Sequence, residues 1–275
     1  MKAETDIAYF QKGQQLEAEG KLNEAISAYS QAIKLNPNNP LFYQWMANAL
    51  TLNNQLEEAL AYHRKVSQIR GWDQHALKGY EFTRDFFTNH ISNWKKYLNL
   101  FAEKPGINAL EIGSFQGISS CWLLDNILTH PTARITCVDT FAGSVEHDVM
   151  CADGTVQTIE QRFDANVAKT GKAEQVRKMI GASQTVLRSL IPNAYHLAYI
   201  DGSHVACDVL EDAVLTWRLV KVGGVIIFDD YGFRFPEGIT EQPPQPAIDA
   251  FKTIFQHKVK LLHQGYQVLL EKIAE

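Results

Sequence analysis

The sequence has few cysteines, and their spacing excludes a zinc site or a disulfide framework. Only four occur in 275 residues, and none forms a C-x-x-C pair. They lie at positions Cys121, Cys137, Cys151 and Cys207. Scattered cysteines of this kind are typical of reduced thiols in a cytosolic protein.

The chain also lacks a cluster of basic residues and any long apolar run. Its formal net charge is −5, which excludes a broad basic surface for nucleic acid. No apolar run approaches the roughly 20 residues of a membrane-spanning helix. The first residues include Glu4 and Asp6 and have no apolar segment typical of a signal peptide. We therefore expect a cytoplasmic protein that binds neither nucleic acid nor membranes.

An internal repeat occupies residues 6–71, with Tyr43 following Tyr9 by 34 positions. Small and aromatic residues recur in register: Tyr9, Gly13, Leu16, Ala25, Tyr29, Ala32 and Pro37 correspond to Tyr43, Ala47, Leu50, Ala59, His63, Val66 and Gly71. The pattern resembles two tetratricopeptide repeats (TPRs), each a pair of antiparallel helices. Because such arrays usually need about three copies, we expect these helices to pack on the next domain or on a second subunit. Their role is either to bind a protein partner or to mediate packing and self-association.

We place the domain boundary after residue 71, which gives a small all-α repeat domain (1–71) and a second domain (72–275). Residues 72–103 are rich in aromatic residues at helical spacing, which predicts one or two amphipathic helices. This segment either covers a sheet or forms a cap over a cofactor site.

From residue 108 onward, apolar strand-like runs alternate with helical patterns, which predicts a Rossmann-like α/β fold with a doubly wound, mostly parallel sheet. The predicted strands are 108–112, 134–139, 176–180, 196–201, 224–229, 259–263 and 266–271. The predicted helices are 117–128, 155–169, 183–189, 204–220 and 245–257. The last two strands are too close together for an intervening helix, so we expect an antiparallel C-terminal hairpin.

The most informative loop is E-x-G-x-x-x-G, which follows the first predicted strand and contains Glu111, Gly113 and Gly117. Glycines let a backbone turn sharply and approach a ligand, and the next helix begins with free N–H groups. The spacing differs from the G-x-G-x-x-G loop of dinucleotide sites and favours S-adenosylmethionine (SAM). The alternative is a purely structural glycine turn.

Acidic residues end the central strands, at the sheet edge where α/β proteins bind ligands. Asp139 ends the second strand, where it is a candidate for binding ribose hydroxyls or for capping a helix. Ser183 follows the third strand and either caps the next helix or lines the cofactor. The full set that we assign to the cofactor is Glu111, Gly113, Ser114, Gly117, Asp139, Thr140, Ser183 and Asp201.

Asp201, Asp229 and Asp230 end the fourth and fifth strands, which are neighbours in this fold. Their carboxylates are therefore expected to converge on one divalent cation, since oxygen ligands favour Mg²⁺, Mn²⁺ or Ca²⁺. The alternative is a helix cap and a turn. His204 lies three residues after Asp201 and is a candidate general base, with Asp208 orienting its ring.

The motifs EIGSFQG, DTFAGSVEH, YIDGSH through LEDAV, and VGGVIIFDDYG resemble methyltransferase family 24. This class I family is related to metal-dependent catechol-type and macrolide-sugar O-methyltransferases. The resemblance covers roughly residues 80–270. It implies SAM as methyl donor and a divalent ion, most simply Mg²⁺, held by Asp201, Asp229 and Asp230. It also implies His204 as base and suggests Glu146 or His147 near the substrate.

We therefore interpret the chain as a SAM-dependent O-methyltransferase that acts on a hydroxyl of a sugar, glycoside or phenol, with Asp201 and His204 as its catalytic residues. The alternatives are a metal-independent methyltransferase of the same fold and a scaffold in which the repeats bind a partner and the α/β domain senses SAM. A nicotinamide-dependent dehydrogenase would require the missing glycine pattern.

Overall fold

The computed structural model describes residues 5–143, 156–236 and 238–275. The chain divides into two units, the first ending at Lys95 and the second beginning at Lys96. The division falls later in the chain than the boundary predicted after residue 71, because residues 72–95 pack with the repeat helices. The proposed limits of the two domains, and the proposed cap over a cofactor site, stay predictions.

The repeat region of the first unit folds into four helices in two antiparallel pairs over the described residues 5–71, as the repeat predicts. They are α1 (Asp6–Ala18), α2 (Leu22–Leu35), α3 (Pro40–Leu52) and α4 (Leu56–Ile69). Two of the helices begin with side-chain caps: Thr5 Oγ1 accepts the Ala8 N–H at 3.2 Å, and Asn39 Oδ1 accepts the Leu41 N–H at 3.1 Å. Pro40 at the first position of α3 lacks an N–H that would have no partner there.

The small and aromatic positions of the repeat form its core. A Cβ atom on Gly13 would lie 2.4 Å from the Tyr29 ring, so glycine is needed for α1 to approach α2. Tyr29 is fully buried, and its hydroxyl donates to Glu17 at 2.7 Å. The buried members of this core are Phe10, Ala25, Tyr29, Ala32, Phe42, Met46, Ala49, Leu50 and Ala59.

The segment after α4 is less helical than its spacing predicts. It contains α5 (Gln74–Leu77), a 3₁₀ turn (Thr88–His90), α6 (Ile91–Leu98) and a second 3₁₀ turn (Asn99–Phe101), and residues 78–87 form no helix. In this stretch the side chains of Arg64, His63 and Gln44 lie 3.2, 3.2 and 2.9 Å from the carbonyl oxygens of Tyr80, Thr83 and Asp85. These contacts satisfy backbone groups that a helix would have paired internally.

The second unit is built on a seven-stranded sheet of order β3-β2-β1-β4-β5-β7-β6. The strands are β1 (Asn108–Ile112), β2 (Arg134–Asp139), β3 (Val176–Ile180), β4 (Tyr195–Ile200), β5 (Val220–Phe228), β6 (Val259–Gln264) and β7 (Val268–Lys272). The first five run parallel, and β7 pairs antiparallel with both β5 and β6. The predicted parallel sheet with a C-terminal hairpin is confirmed.

Helices of this unit are α7 (Ile118–Asn126), α8 (Ile159–Lys169), α9 (Ser183–Val186), α10 (Ala206–Leu219) and α11 (Gln245–Ile254), with 3₁₀ turns at Val156–Thr158, Ala173–Gln175 and Leu187–Ser189. The central strands are apolar and buried because helices cover them, as in other parallel sheets. Within the described ranges, no helix is long and apolar enough to cross a membrane.

Candidate active site

The glycine loop after β1 lies directly against the loop after β4. Gly113 has φ +81°, and a Cβ atom there would lie 1.8 Å from the Asp201 carbonyl oxygen and 2.7 Å from Gly202 Cα. The Gly113 N–H donates to the Val138 carbonyl at 2.9 Å, which also ties this loop to β2. Only glycine fits this position, because both its backbone conformation and the close approach exclude a side chain.

Gly117 ends the same loop and begins α7. Its φ is +82°, and a Cβ atom would meet the Phe163 ring of α8 at 3.0 Å. Glycine here therefore serves the packing of α8 against the loop as well as the turn into α7.

Asp139, predicted to bind ribose, anchors the glycine loop in this structure. Its Oδ2 accepts the N–H groups of Ser114 at 2.7 Å and Phe115 at 2.8 Å, and its Oδ1 accepts the Phe141 N–H at 2.7 Å. A carboxylate offers about four acceptor positions, so these three bonds leave one for a ligand. Asp139 is half-buried, which is compatible with a ligand hydroxyl. The anchoring role was not predicted, because it depends on two loops meeting in space.

Glu111 is fully buried beneath this edge of the sheet and faces the first turn of α7. Its carboxylate accepts the Ser119 hydroxyl at 2.6 Å and also the Ser120 hydroxyl. Burial raises the pKa of Glu111, and the two serine hydrogen bonds oppose that rise. The structure therefore places Glu111 as a support for the start of α7, and a direct cofactor contact stays a prediction. Thr140 follows Asp139, and its Oγ1 accepts the Ala142 N–H at 3.2 Å.

Ser183, at the start of α9, pairs with a buried carboxyl group that sequence reasoning did not single out. Its side chain lowers the pKa of Asp212 of α10 and so opposes the effect of burial. Asp212 is 1% exposed, and its Oδ1 has no hydrogen-bond partner in the structure. Burial is the main cause that raises the pKa of Asp212 to about 7. The sequence signal was an aspartate on the apolar face of an amphipathic helix.

Two of the carboxylates after β4 and β5 lie close to His204. One ligand atom each from Asp201, His204 and Asp230 lie within 4.8 Å of one another, an arrangement that suits a metal ion. Asp229 is not in this group, and the metal set of Asp201, Asp229 and Asp230 stays a prediction. Instead, Asp229 is 6% exposed, and Gln267 Nε2 and the Tyr199 hydroxyl both contact its Oδ2.

Backbone geometry explains why the two consecutive aspartates differ. Asp229 continues the strand direction, and its N–H donates to the Ile200 carbonyl at 3.0 Å. Asp230 has a left-handed backbone with φ +57°, so the chain turns at this residue. The turn directs Asp230 toward His204, whose Nε2 lies 2.7 Å from Asp230 Oδ2.

His204 is oriented by Asp230 and by an aromatic ring, rather than by the predicted partner Asp208. The His204 and Phe233 rings lie 4.6 Å apart with an interplanar angle of 33°. Asp208 Oδ2 instead accepts the Ser203 hydroxyl at 2.7 Å. Glu146 and His147 lie outside the described residues.

The concentration of negative charge gives the site its electrostatic character. The pKa of Asp201 is well above its usual range, first because of burial and then because of the neighbouring Asp229 and Asp230. Carboxylates this close together repel one another unless a proton or a cation compensates the charge. The site is therefore suited to bind a positively charged group.

Residues 110–231 match the family described as a methyltransferase domain, and residues 8–54 match a TPR repeat family. The chain carries a methyltransferase domain. The matched segment runs from β1 to the residue after Asp230, so it contains the glycine loop and all the acidic strand ends described above.

Solved structures with the same fold include a protein described as a putative O-methyltransferase from Klebsiella pneumoniae. It is 16% identical, with a TM-score of 0.50 over 81% of this chain and 100% of that chain. Cofactor-bound Rv0187 from MTB is 14% identical, with a TM-score of 0.50 over 76% and 90% of the two chains. At these identities the similarity shows the fold of the methyltransferase domain alone.

An uncharacterised relative, protein R132 of Acanthamoeba polyphaga mimivirus, is 27% identical over 160 residues. The match covers 56% of this chain and 64% of the viral protein.

Proposed function

We propose that the chain transfers a methyl group from SAM to a hydroxyl oxygen of a small molecule, with a divalent cation at the acidic site. One observation supports this most directly: the glycine loop and the acidic site touch, since the Gly113 backbone packs against the Asp201 carbonyl. A donor held by the loop and an acceptor held at the acidic site would therefore be neighbours. Near-attack positioning of two reactants supplies much of the rate of such a transfer.

The residues of the two sites fit the proposed groups. Gly113 and Gly117 shape a loop without side chains at its turns, and half-buried Asp139 retains acceptor capacity for a ribose hydroxyl. Carboxylates are the ligands that Mg²⁺ and Mn²⁺ favour, and Asp201 and Asp230 supply two of them. When bound, SAM would supply a methyl group on a positively charged sulfur, and the cation would lower the pKa of the acceptor hydroxyl.

The third protein ligand of the cation is either Asp229, as the family resemblance implies, or His204, which lies close to Asp201 and Asp230. In the first case His204 would be the general base, and its imidazole would accept the proton of the acceptor hydroxyl and then release it to solvent. In the second case His204 holds the cation and solvent takes the proton. The base assignment is the one we propose.

The first test is calorimetric titration of SAM into the full chain, with Mg²⁺ and separately with a chelator. Micromolar affinity supports the cofactor assignment, and the absence of binding in both buffers would contradict it. The variant to compare with wild type is Asp139→Asn, because its amide nitrogen cannot accept a hydrogen bond from a ribose hydroxyl. A screen of sugars, glycosides and phenols with labelled SAM then identifies the acceptor, and turnover that persists in chelator would favour the metal-independent alternative.

The repeat unit supports a second function, which is binding of a protein partner or self-association. The match to a TPR family is the observation that favours it. Light scattering of the full chain tests self-association directly. If the chain is a monomer at all concentrations, self-association is contradicted, and binding of a different protein remains as the proposed role of the repeats.

A further inference from the structure

A buried phenol joins two of the carboxylates at the acidic site. Tyr199 lies on β4 and is fully buried, and its hydroxyl is 2.7 Å from Asp201 Oδ2. The same hydroxyl also contacts Asp229 Oδ2. A phenol has one proton, so the Tyr199 hydroxyl donates to one carboxylate at a time. Because the same oxygen contacts both carboxylates, it also fixes the distance between them.

The hairpin between β6 and β7 contributes two more donors to the same site. The Tyr266 hydroxyl donates to Asp230 Oδ1 at 2.7 Å, and Gln267 Nε2 donates to Asp229 Oδ2 at 2.8 Å. The Tyr231 N–H donates to the Tyr266 carbonyl at 2.9 Å, which fixes the hairpin against the turn after β5. Consecutive residues of the hairpin thus contact consecutive aspartates.

All three donors are electrically neutral, and this matters for a site that is to bind a cation. A phenol or an amide fixes the direction of a carboxylate through a hydrogen bond but leaves its charge in place. A lysine or arginine in the same position would compensate the charge and compete with the cation. Groups that hydrogen-bond metal-ligating carboxylates orient those ligands and tune their affinity.

We propose that Tyr199, Tyr266 and Gln267 are positioning residues that hold the three carboxylates in the arrangement that a divalent cation binds. The inference rests on the proposed metal dependence of the methyltransferase domain and extends it to residues on β4 and the C-terminal hairpin. It also gives the hairpin a role in the site in addition to its role in the sheet.

The test is Mn²⁺ titration of the full chain, with free Mn²⁺ measured by electron paramagnetic resonance. Tyr199→Phe removes only the hydroxyl, and loss of such an outer contact is expected to weaken Mn²⁺ binding by about 10- to 100-fold. The matched control is Tyr195→Phe on the same strand, where the tyrosine is also buried and its hydroxyl lies 3.2 Å from Thr136 Oγ1. This control should leave Mn²⁺ affinity unchanged. Thermal unfolding in chelator should show similar losses for both variants.

Two further variants keep the test valid if Tyr199→Phe fails to fold. Tyr266 is 48% exposed, so Tyr266→Phe changes little packing, and Gln267→Met keeps the volume of a buried side chain. Both should weaken Mn²⁺ binding. Wild-type affinity in all three site variants, or an equal loss in Tyr195→Phe, would overturn the positioning role. If the wild-type chain itself binds no Mn²⁺, the proposed metal dependence fails instead.

Discussion

Asp212 gives a prediction that needs neither substrate nor cofactor. Its carboxyl group is 1% exposed, and burial raises its pKa from 3.8 to about 7. The folded chain therefore keeps a proton on Asp212 at pH values where the unfolded chain has released it. In that range the free energy of unfolding falls as the pH rises, from about pH 4 to about pH 7.

The size of the effect follows from the difference between the two pKa values. One pKa unit corresponds to about 1.4 kcal/mol, so the difference of roughly three units amounts to on the order of 4 kcal/mol. Asp212→Asn removes the titrating group and retains a polar side chain of the same size. Relative to wild type, the variant should gain about 3 kcal/mol of unfolding free energy between about pH 5 and about pH 8.

Urea unfolding at a series of pH values measures this difference directly. The control is Glu211→Gln on the same helix, where the side chain is 42% exposed and pairs with Arg188 at 2.5 Å. Loss of such a surface pair is expected to cost less than about 1 kcal/mol, with little change of slope over this range. If the unfolding free energies of Asp212→Asn and wild type ran parallel from acid to alkaline pH, the proposed protonation of Asp212 in the folded chain would be wrong.

Three further predictions concern the loops and the acidic site. In chemical unfolding, Gly113→Ala should destabilise the chain by more than about 2 kcal/mol, because the new Cβ would overlap the Asp201 carbonyl. The control is Gly171→Ala, which also has a positive φ but has open space around it and should cost only about 1–2 kcal/mol. Asp139→Asn should weaken SAM binding by about tenfold or more in calorimetry, since it loses a ribose acceptor and disturbs the loop; unchanged affinity would remove Asp139 from the cofactor site. His204→Gln should lower kcat by about 10²- to 10⁴-fold at unchanged Mn²⁺ affinity if His204 is the base, and a fall in affinity that excess Mn²⁺ rescues would make it a ligand.

The sheet could be predicted closely because its signals are local. Three strands, β1, β2 and β3, begin and end at the predicted residues, since each is a short strand-like run bounded by turn or polar residues. The antiparallel hairpin followed from the short distance between the last two runs, which leaves no room for a crossover helix. β5 begins at Val220, earlier than the predicted residue 224, because Gly223 lies within the strand rather than before it.

Long-range contacts limited the prediction elsewhere. Residues 78–87 have the aromatic spacing of a helix, but side chains of α3 and α4 bind their carbonyl groups and favour an irregular path. Local periodicity contains no information about such partners, because they come from a different part of the chain.

The sequence places acidic residues at the ends of neighbouring strands, beside a loop that contains Gly113 and Gly117. Parallel strands bring their carboxyl ends to one edge, so this much follows from the order of residues. Which carboxylates face one another depends on contacts that form on folding. The left-handed backbone at Asp230 turns its side chain toward His204, while Gln267, 38 residues further along, binds Asp229. Side-chain directions at a site depend on partners that are distant in sequence, and folding alone brings those partners together.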